Sequence, residues 1–289
     1  MAADLAGEAA PAKVNLYLHI RGQRLDGYHL LESLAVFPGV GDHLWVEPSD
    51  RMGLTIGGPF GDALPISGDN LVLKAAAALA HRCGSAAGAA MRLQKNLPVA
   101  SGIGGGSTDA AATLRLLARH WGVSVPDGLA LSLGADVPVC MDPSPQFMSG
   151  IGEYLAPAPA LPPAWIVLVN PLVSVSTGAV FGALARRDNP AGPAAPQGGF
   201  DGFGSFIAWL RLQRNDMEAA AATLCPPVAE VLAALSPAPL ARMSGSGATC
   251  FALMPTAAAA AALATEIRRA RPGWWVTDTA MQGQAMQAA

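Results

Sequence analysis

Residues 97–109 read Leu-Pro-Val-Ala-Ser-Gly-Ile-Gly-Gly-Gly-Ser-Thr-Asp, and the hydrophobic period changes across them. Upstream, residues 90–94 alternate as a short strand does. Downstream, Ala111, Leu114, Leu117, Ala118 and Trp121 recur at helical spacing, which predicts a helix over 107–120. A strand, a glycine cluster and a helix in that order predict a phosphate cradle. Glycines let backbone N–H groups approach an anion with no Cβ in the way. The start of a helix adds unpaired N–H donors and the positive end of its dipole. Ser107 and Thr108 bring hydroxyls that can hold a phosphate or a magnesium ion. A flexible turn with an ordinary helix cap remains the plainer alternative for such a cluster.

Spacing excludes the commonest loops of this kind. A P-loop needs Lys after its last glycine, and none stands here. A dinucleotide fingerprint starting at Gly102 fails at Ser107, and one starting at Gly104 fails at Asp109. A second glycine loop, Met243-Ser244-Gly245-Ser246-Gly247-Ala248-Thr249, precedes a strand expected at 249–253. Two such loops in one chain point to a polyphosphate or to a phosphoryl group in transit.

Outward from these loops the elements alternate. Residues 12–20 alternate strictly, which predicts a half-buried strand with Val14, Leu16, Leu18 and Ile20 inward and Lys13, Asn15, Tyr17 and His19 on the polar face. A turn is expected at 21–27, and short strands at 44–47 and 54–56. Asp69-Asn70 can cap a helix over 71–82. Further helices are expected at 128–133, 206–222, 228–235 and 256–270, and further strands at 165–169 and 274–277. The Pro- and Ala-rich stretch 157–163 divides the chain into expected domains 1–156 and 157–289. Mixed strands and helices in both halves predict an α+β (mixed α/β) protein.

Composition narrows the function. Of 289 residues, 52% are hydrophobic and 13% charged, which excludes a disordered chain. Net charge is −3, and the lysines are Lys13, Lys74 and Lys95, so no basic run offers itself to a nucleic acid. Cys83, Cys140, Cys225 and Cys250 are scattered, with neither zinc-ligand nor disulfide spacing. No apolar leader or membrane-spanning run is read, and a cytoplasmic location is expected. No H-E-x-x-H and no G-x-S-x-G occurs, so metal-hydrolase and serine-hydrolase chemistry have no motif here.

Phosphoryl transfer asks a protein for positioning, charge neutralisation and often a base for the acceptor hydroxyl. Asp136, a lone carboxylate in the apolar segment 133–138, is a candidate base or else a turn residue. Lys13 is a candidate cation or else a surface lysine; if the two meet, Lys13 holds Asp136 ionised. Tyr28-His29, after the Asp26-Gly27 turn, suits stacking and edge recognition of a base, or simple packing.

Taken together, three segments resemble the three motifs of the GHMP kinases. They are Pro11-Ala12-Lys13-Val14-Asn15-Leu16 with Asp26-Gly27-Tyr28-His29, residues 98–112, and residues 243–251. The likeness runs along most of the chain, through Asp69-Asn70-Leu71, residues 133–138 and Asn215-Asp216-Met217-Glu218, but not through 185–205. It implies an N-terminal domain of the ribosomal S5 domain 2-like type that binds ATP, and a ferredoxin-like C-terminal domain. It implies ATP-dependent phosphorylation, with magnesium, of the 2-hydroxyl of a diphosphocytidyl methylerythritol. Such a partner is a small cytidine diphosphate compound, with no nucleic acid, membrane or obligate protein partner.

Residue by residue, the resemblance makes Lys13 and Asp136 the catalytic pair. Asn15, Tyr28 and His29 match substrate contacts, the last two around the cytosine. Thr177 and Phe181 fall where a further substrate threonine and a stacking aromatic would stand. Lys95 and the run Pro98, Val99, Ala100, Ser101, Gly102, Ile103, Gly104, Gly105, Gly106, Ser107 and Thr108 match the nucleotide site, and Ser244, Gly245, Ser246 and Gly247 the C-terminal glycine loop. Ala100 stands where glycine is usual, Ile103 replaces leucine, and Thr108 replaces a second serine. A kinase of the same family acting on homoserine, mevalonate or a sugar is the rival reading, but those substrates have no base to stack. A nucleotide-binding regulator without catalysis is the other, and the presence of both Lys13 and Asp136 speaks against it.

Overall fold

The computed structural model describes residues 6–65, 69–84 and 88–282. In chain order its elements are β1 (Ala6–Pro11), β2 (Val14–Gln23), β3 (His29–Val36), β4 (Gly41–Ser49), β5 (Met52–Gly57), α1 (Leu71–Cys83), β6 (Gly88–Gln94), α2 (Gly105–Trp121), α3 (Leu129–Leu133) and α4 (Val137–Cys140). There follow β7 (Gln146–Gly150), β8 (Tyr154–Pro157), β9 (Trp165–Asn170), α5 (Thr177–Gly182), α6 (Phe203–Arg211), α7 (Glu218–Leu224), α8 (Pro227–Leu235), β10 (Leu240–Met243), β11 (Cys250–Met254), α9 (Ala257–Ala270) and β12 (Trp275–Ala280). The mixed α/β class expected from the sequence is what forms. Among the described residues no helix is long and apolar enough to cross a membrane.

Contacts gather the chain into two compact units, and neither is contiguous in sequence. One takes the described residues up to 12 with 40–99 and 104–143; the other takes 13–39, 100–103 and 144 onward. This division differs from the expected one at 156/157. The physical reason is that β2 and β3 pair with each other, and β3 pairs with β7, so residues 13–39 are built into the unit that also holds residues 144 onward.

The first unit is a sheet of order β1-β4-β6-β5, antiparallel except for the parallel pair β5–β6. Helix α2 packs on β1 and β4 and against α1. Its buried residues include Ala111, Leu114 and Leu117, as the period demands. Asn70 caps α1 by accepting from the Val72 N–H at 2.9 Å, and Gly84 ends it in the left-handed conformation. Arg115, on α2, donates to Glu8 at 2.6 Å and to the carbonyl of Cys140 at 2.6 Å. This one side chain ties α2 to β1 and to the end of α4, and α4 begins right after Asp136.

The second unit holds two antiparallel sheets, β2-β3-β7-β8 and β10-β11-β9-β12. The second sheet's order, with helices between β9 and β10 and between β11 and β12, is the ferredoxin-like arrangement. Leu18 and Ile20 of β2 share a core with Val167, Val169, Val231, Cys250 and Ile267.

Three expectations are corrected. The strand expected at 12–20 begins at Val14, runs on to Gln23 so that the expected turn is confined to 24–27, and is preceded by β1, which was not expected. It is not half-buried: Lys13, Asn15, Tyr17 and His19 are buried along with the apolar face. The helix expected over 206–222 is two helices, α6 and α7. Between them the backbone is recruited by β2: the Leu18 N–H donates to the Arg214 carbonyl at 3.0 Å and the Ile20 N–H to Asp216 at 2.7 Å. Tertiary bonds override helical propensity there.

Candidate active site

In the second unit the site grows from the start of β2. Lys13 and Asn15 are two residues apart, hence on one face of the strand. The Lys13 ammonium donates to Asn15 Oδ1 at 3.0 Å, and both side chains are buried. Asn15 Nδ2 donates in turn to Ser33 Oγ at 2.6 Å, and Ser33 Oγ to the Tyr17 carbonyl at 2.6 Å. A buried amide and ammonium are kept in place by this chain of partners, as buried polar groups require.

The two glycine segments converge on the same strand. The Lys13 N–H donates to the Ile103 carbonyl at 2.9 Å, and the Thr249 N–H to the Ser101 carbonyl at 3.0 Å. A Cβ on Gly102 would collide with the carbonyl of Gly247, and φ there is +73°. Glycine is what lets the two backbones touch. Asn215 Nδ2 donates to the carbonyls of Met243 and Gly245, at 2.8 Å each, and holds the second loop from beneath. The likeness to a known family had marked 215–218 as a segment, but its tie to the second loop is a contact across 28 residues that no local pattern predicts. Ala100 has φ +53°, so alanine stands in a left-handed conformation that glycine adopts without strain.

Around this knot lie the other expected substrate residues of the unit. Thr177 opens α5, and its hydroxyl lies 2.8 Å from Ser246 Oγ of the second glycine loop. Phe181, one turn on, stacks on His29 at 4.3 Å between centroids and 15° between planes. Rings this close leave no room for a base between them; they form one apolar face instead. Burial, then the charge of Arg187, holds the His29 imidazole below its usual range, and its buried Nε2 has no hydrogen-bond partner. Tyr28 is 56% exposed at the tip of the β2–β3 hairpin, whose turn is built by Gly27 at φ +91° and by Arg24, which donates to Asp26 at 2.7 Å.

In the first unit the glycine run continues into α2. Gly104, at φ +68°, precedes the helix, which starts at Gly105, two residues earlier than its period alone indicates. Thr108 is buried and its hydroxyl donates to the Gly105 carbonyl at 3.0 Å; Ser107 is partly exposed. Of the two hydroxyls, Ser107 is therefore the better placed to meet a phosphate or a cation. No group of three or more His, Cys, Asp or Glu residues able to hold a metal occurs among the described residues.

Lys95 is not a surface cation. It is buried between two carboxylates, 2.5 Å from Asp42 Oδ2 and 2.7 Å from Asp109 Oδ2. Burial pushes the Asp109 carboxyl up to about 8, against the pull of Lys95. Neither Asp42 nor Asp109 was a sequence candidate, and only the fold brings them to Lys95. Asp136 sits in this unit too, partly buried, and its carboxylate does not cap the short helix it precedes.

Comparison with known proteins bears on the whole chain. The model for the GHMP kinases N terminal domain matches residues 70–150, and that for the GHMP kinases C terminal matches residues 193–272. A 4-diphosphocytidyl-2-C-methyl-D-erythritol kinase of Cereibacter sphaeroides is 53% identical over 281 residues, which is 95% of this chain and 98% of that one. The protein of the same name from Paramagnetospirillum magneticum is 51% identical over 275 residues, 92% of this chain and 95% of that one. Among solved structures, a 4-(cytidine 5'-diphospho)-2C-methyl-D-erythritol kinase superposes with a TM-score of 0.77 at 34% identity, over 96% of this chain and 100% of the other. A homoserine kinase from Cytophaga hutchinsonii, at 19% identity and a TM-score of 0.67, covers 98% of this chain and 97% of its own and shares the fold alone.

Proposed function

The chain belongs to the 4-diphosphocytidyl-2-C-methyl-D-erythritol kinases of the GHMP family, and on that premise we propose that it transfers the γ-phosphoryl group of ATP to the 2-hydroxyl of 4-diphosphocytidyl-2-C-methyl-D-erythritol. The observation that carries this reading is the buried line Lys13–Asn15–Ser33, locked to both glycine segments. A fold with no use for an ammonium would not bury one there.

In this reading Asp136 accepts the proton of the acceptor hydroxyl. Lys13 balances negative charge on the group being transferred, and Asn15 holds Lys13 at the required angle. The backbone N–H groups of residues 98–108 take the ATP phosphates. Tyr28 and the joined face of His29 and Phe181 take the cytosine, with Thr177 and Ser246 supplying hydroxyls to the remainder of the substrate. Magnesium, when bound with ATP, neutralises phosphate charge, and Ser107 is the residue proposed to meet it. The Asp109 carboxylate is spoken for by Lys95 and is not proposed as a ligand.

A coupled ADP-release assay tests the proposal. The diphosphocytidyl methylerythritol is expected to sustain turnover, and homoserine, mevalonate and galactose are expected to leave only background ATP hydrolysis. Turnover with one of those three and none with the cytidine compound would overturn it.

A further inference from the structure

We propose that Asp42, Lys95 and Asp109 form a positioning device for ATP, which fixes the first turn of α2 and the segment leading into the glycine run without touching the nucleotide. This rests on the kinase reading above and concerns how its nucleotide segment is held.

The three residues come from three elements of one unit: Asp42 from β4, Lys95 from just beyond β6, and Asp109 from α2. Their side chains are 0%, 2% and 4% exposed. Asp42 does two jobs at once. Its Oδ2 takes the Lys95 ammonium, while its Oδ1 accepts from the backbone N–H groups of Asn96 at 2.6 Å and Leu97 at 2.9 Å. The Asn96 side chain adds a bond to the Gly41 carbonyl at 3.1 Å. The strand β4 thus grips residues 95–97, and the next residues in sequence are Pro98 and Val99, the start of the glycine run.

The other end of the run is gripped through the same ammonium. Asp109 receives it from α2, and a Cβ on Gly105 would lie 3.1 Å from Lys95 Nζ. The first residue of α2 therefore lies close over the ammonium, and a side chain at 105 would press on it. An ammonium under a helix N-terminus opposes the helix dipole. The Asp42 carboxylate offsets that charge, with the buried Asp109 carboxyl as the ammonium's second partner, and the donors proposed for an anion are the backbone N–H groups. Lys95 is buried beneath them and already spends its charge on Asp42 and Asp109.

A purely structural peg has cheaper forms. Replacing a buried charged cluster by well-packed apolar side chains is often neutral or stabilising. This cluster instead leaves Asp109 Oδ1 buried without a hydrogen-bond partner. Fixing two ends of one loop by a directional, three-centre bridge gives what apolar packing lacks: a set height and angle for the helix start.

The test uses the full chain and the variants Asp109→Asn, Lys95→Met and Lys95→Arg. The proposed cytidine contacts all lie in the other unit, so a positioning role splits the two substrates. Asp109→Asn, folded by circular dichroism, is expected to raise KM for ATP about tenfold, with KM for the cytidine substrate within about twofold. Lys95→Arg is expected to recover part of what Lys95→Met loses. Calorimetric titration with ATP alone reads the same loss without any acceptor, so a wrong acceptor assignment and a wrong positioning role are told apart. Folded variants whose ATP affinity matches the parent overturn the inference. So does an equal rise in both KM values, or failure of both Asp109→Asn and Lys95→Met to fold, which assigns the cluster to stability alone.

Discussion

The hydroxyl of Ser244 accepts the backbone N–H of Asn15 at 3.1 Å, across 229 residues of sequence. The same hydroxyl donates to the carbonyl of Gly102 at 3.1 Å, so one buried atom joins β2 to both glycine segments. Ser244→Ala leaves an N–H and a carbonyl buried without that partner. Losing such bonds costs about 1–3 kcal/mol. The expected result is a lower melting temperature by several degrees and a lower kcat, since Asn15 orients Lys13. A variant that melts within a degree of the parent and turns over at the parental rate removes this role.

Two substitutions a short way along the same loop should have opposite signs. Gly102→Ala forces a Cβ into the Gly247 carbonyl at a positive φ, and overpacking plus the left-handed backbone costs roughly 2–5 kcal/mol. Ala100→Gly relieves a left-handed alanine and is expected to stabilise by a few tenths to about 1 kcal/mol. Urea titration of both proteins measures the pair. The same sign for both would mean that the loop backbone is not held as described.

Period and punctuation made much of this legible. The alternation from residue 13 to 19 puts Lys13 and Asn15 on one face, and their side chains are in contact. The period change after the glycine cluster at 102–106 marks α2, though not its first two residues, and Thr256 caps the alanine-rich α9 where the apolar period starts. What stayed hidden is long-range. Asp42 meets Lys95 across 53 residues, and nothing local to either residue predicts it. The break between α6 and α7 was hidden for the same reason, because the partners that recruit Arg214 and Asp216 lie in β2. The second buried face of β2 was missed because period-2 reasoning assigns polar residues to solvent, whereas here hydrogen bonds satisfy them inside.

His19 gives a pH prediction. Burial first, then the nearby Arg214 guanidinium, pushes its imidazole down to about 4, with Arg242 and Arg21 adding to the effect and Asp216 opposing it. The backbone N–H groups of Gly192 and Arg214 lie 3.3 Å from its Nδ1 and Nε2; a neutral ring has one lone pair and accepts from one of them, and a protonated ring accepts from neither. The unfolded chain takes up this proton near 6.5 and the native chain near 4, so the stability His19 contributes is complete above 6.5 and is lost as pH falls toward 4. His19→Gln should flatten the fall of melting temperature between those pH values by several degrees. An unchanged slope in the variant would show that other groups drive the acid loss.

The proposed cytosine contact is tested most directly at Tyr28, which stands exposed while His29 and Phe181 cover each other. Stacking a base on an aromatic ring is worth about 1–3 kcal/mol, so Tyr28→Ala should raise KM for the cytidine substrate by roughly one to two orders of magnitude. KM for ATP should not move. Phe181→Ala should act more weakly, through loss of the ring that holds His29. An unchanged KM in Tyr28→Ala refutes the stacking.

The proposed acceptor is a tertiary alcohol, a poor nucleophile while it keeps its proton. If Asp136 takes that proton in the transition state, Asp136→Asn removes general-base assistance, typically ~10²–10⁴-fold in kcat. Substrate affinity should change far less, because the group acts mainly in the transition state. Lys13→Met should also lower kcat, through lost charge balance on the transferred group, and it leaves Asn15 Oδ1 without the donor it now has. The competing view is that Asp136 only positions the hydroxyl, since a loose phosphoryl-transfer transition state asks little of its nucleophile. The pH dependence of kcat separates the two. A base gives the parent an acid limb that the Asn variant lacks, whereas a positioning carboxylate lowers kcat at every pH and leaves the limb's shape intact. An Asn variant within about threefold of the parental kcat would end both roles, because neither survives the loss of the charge at so little cost.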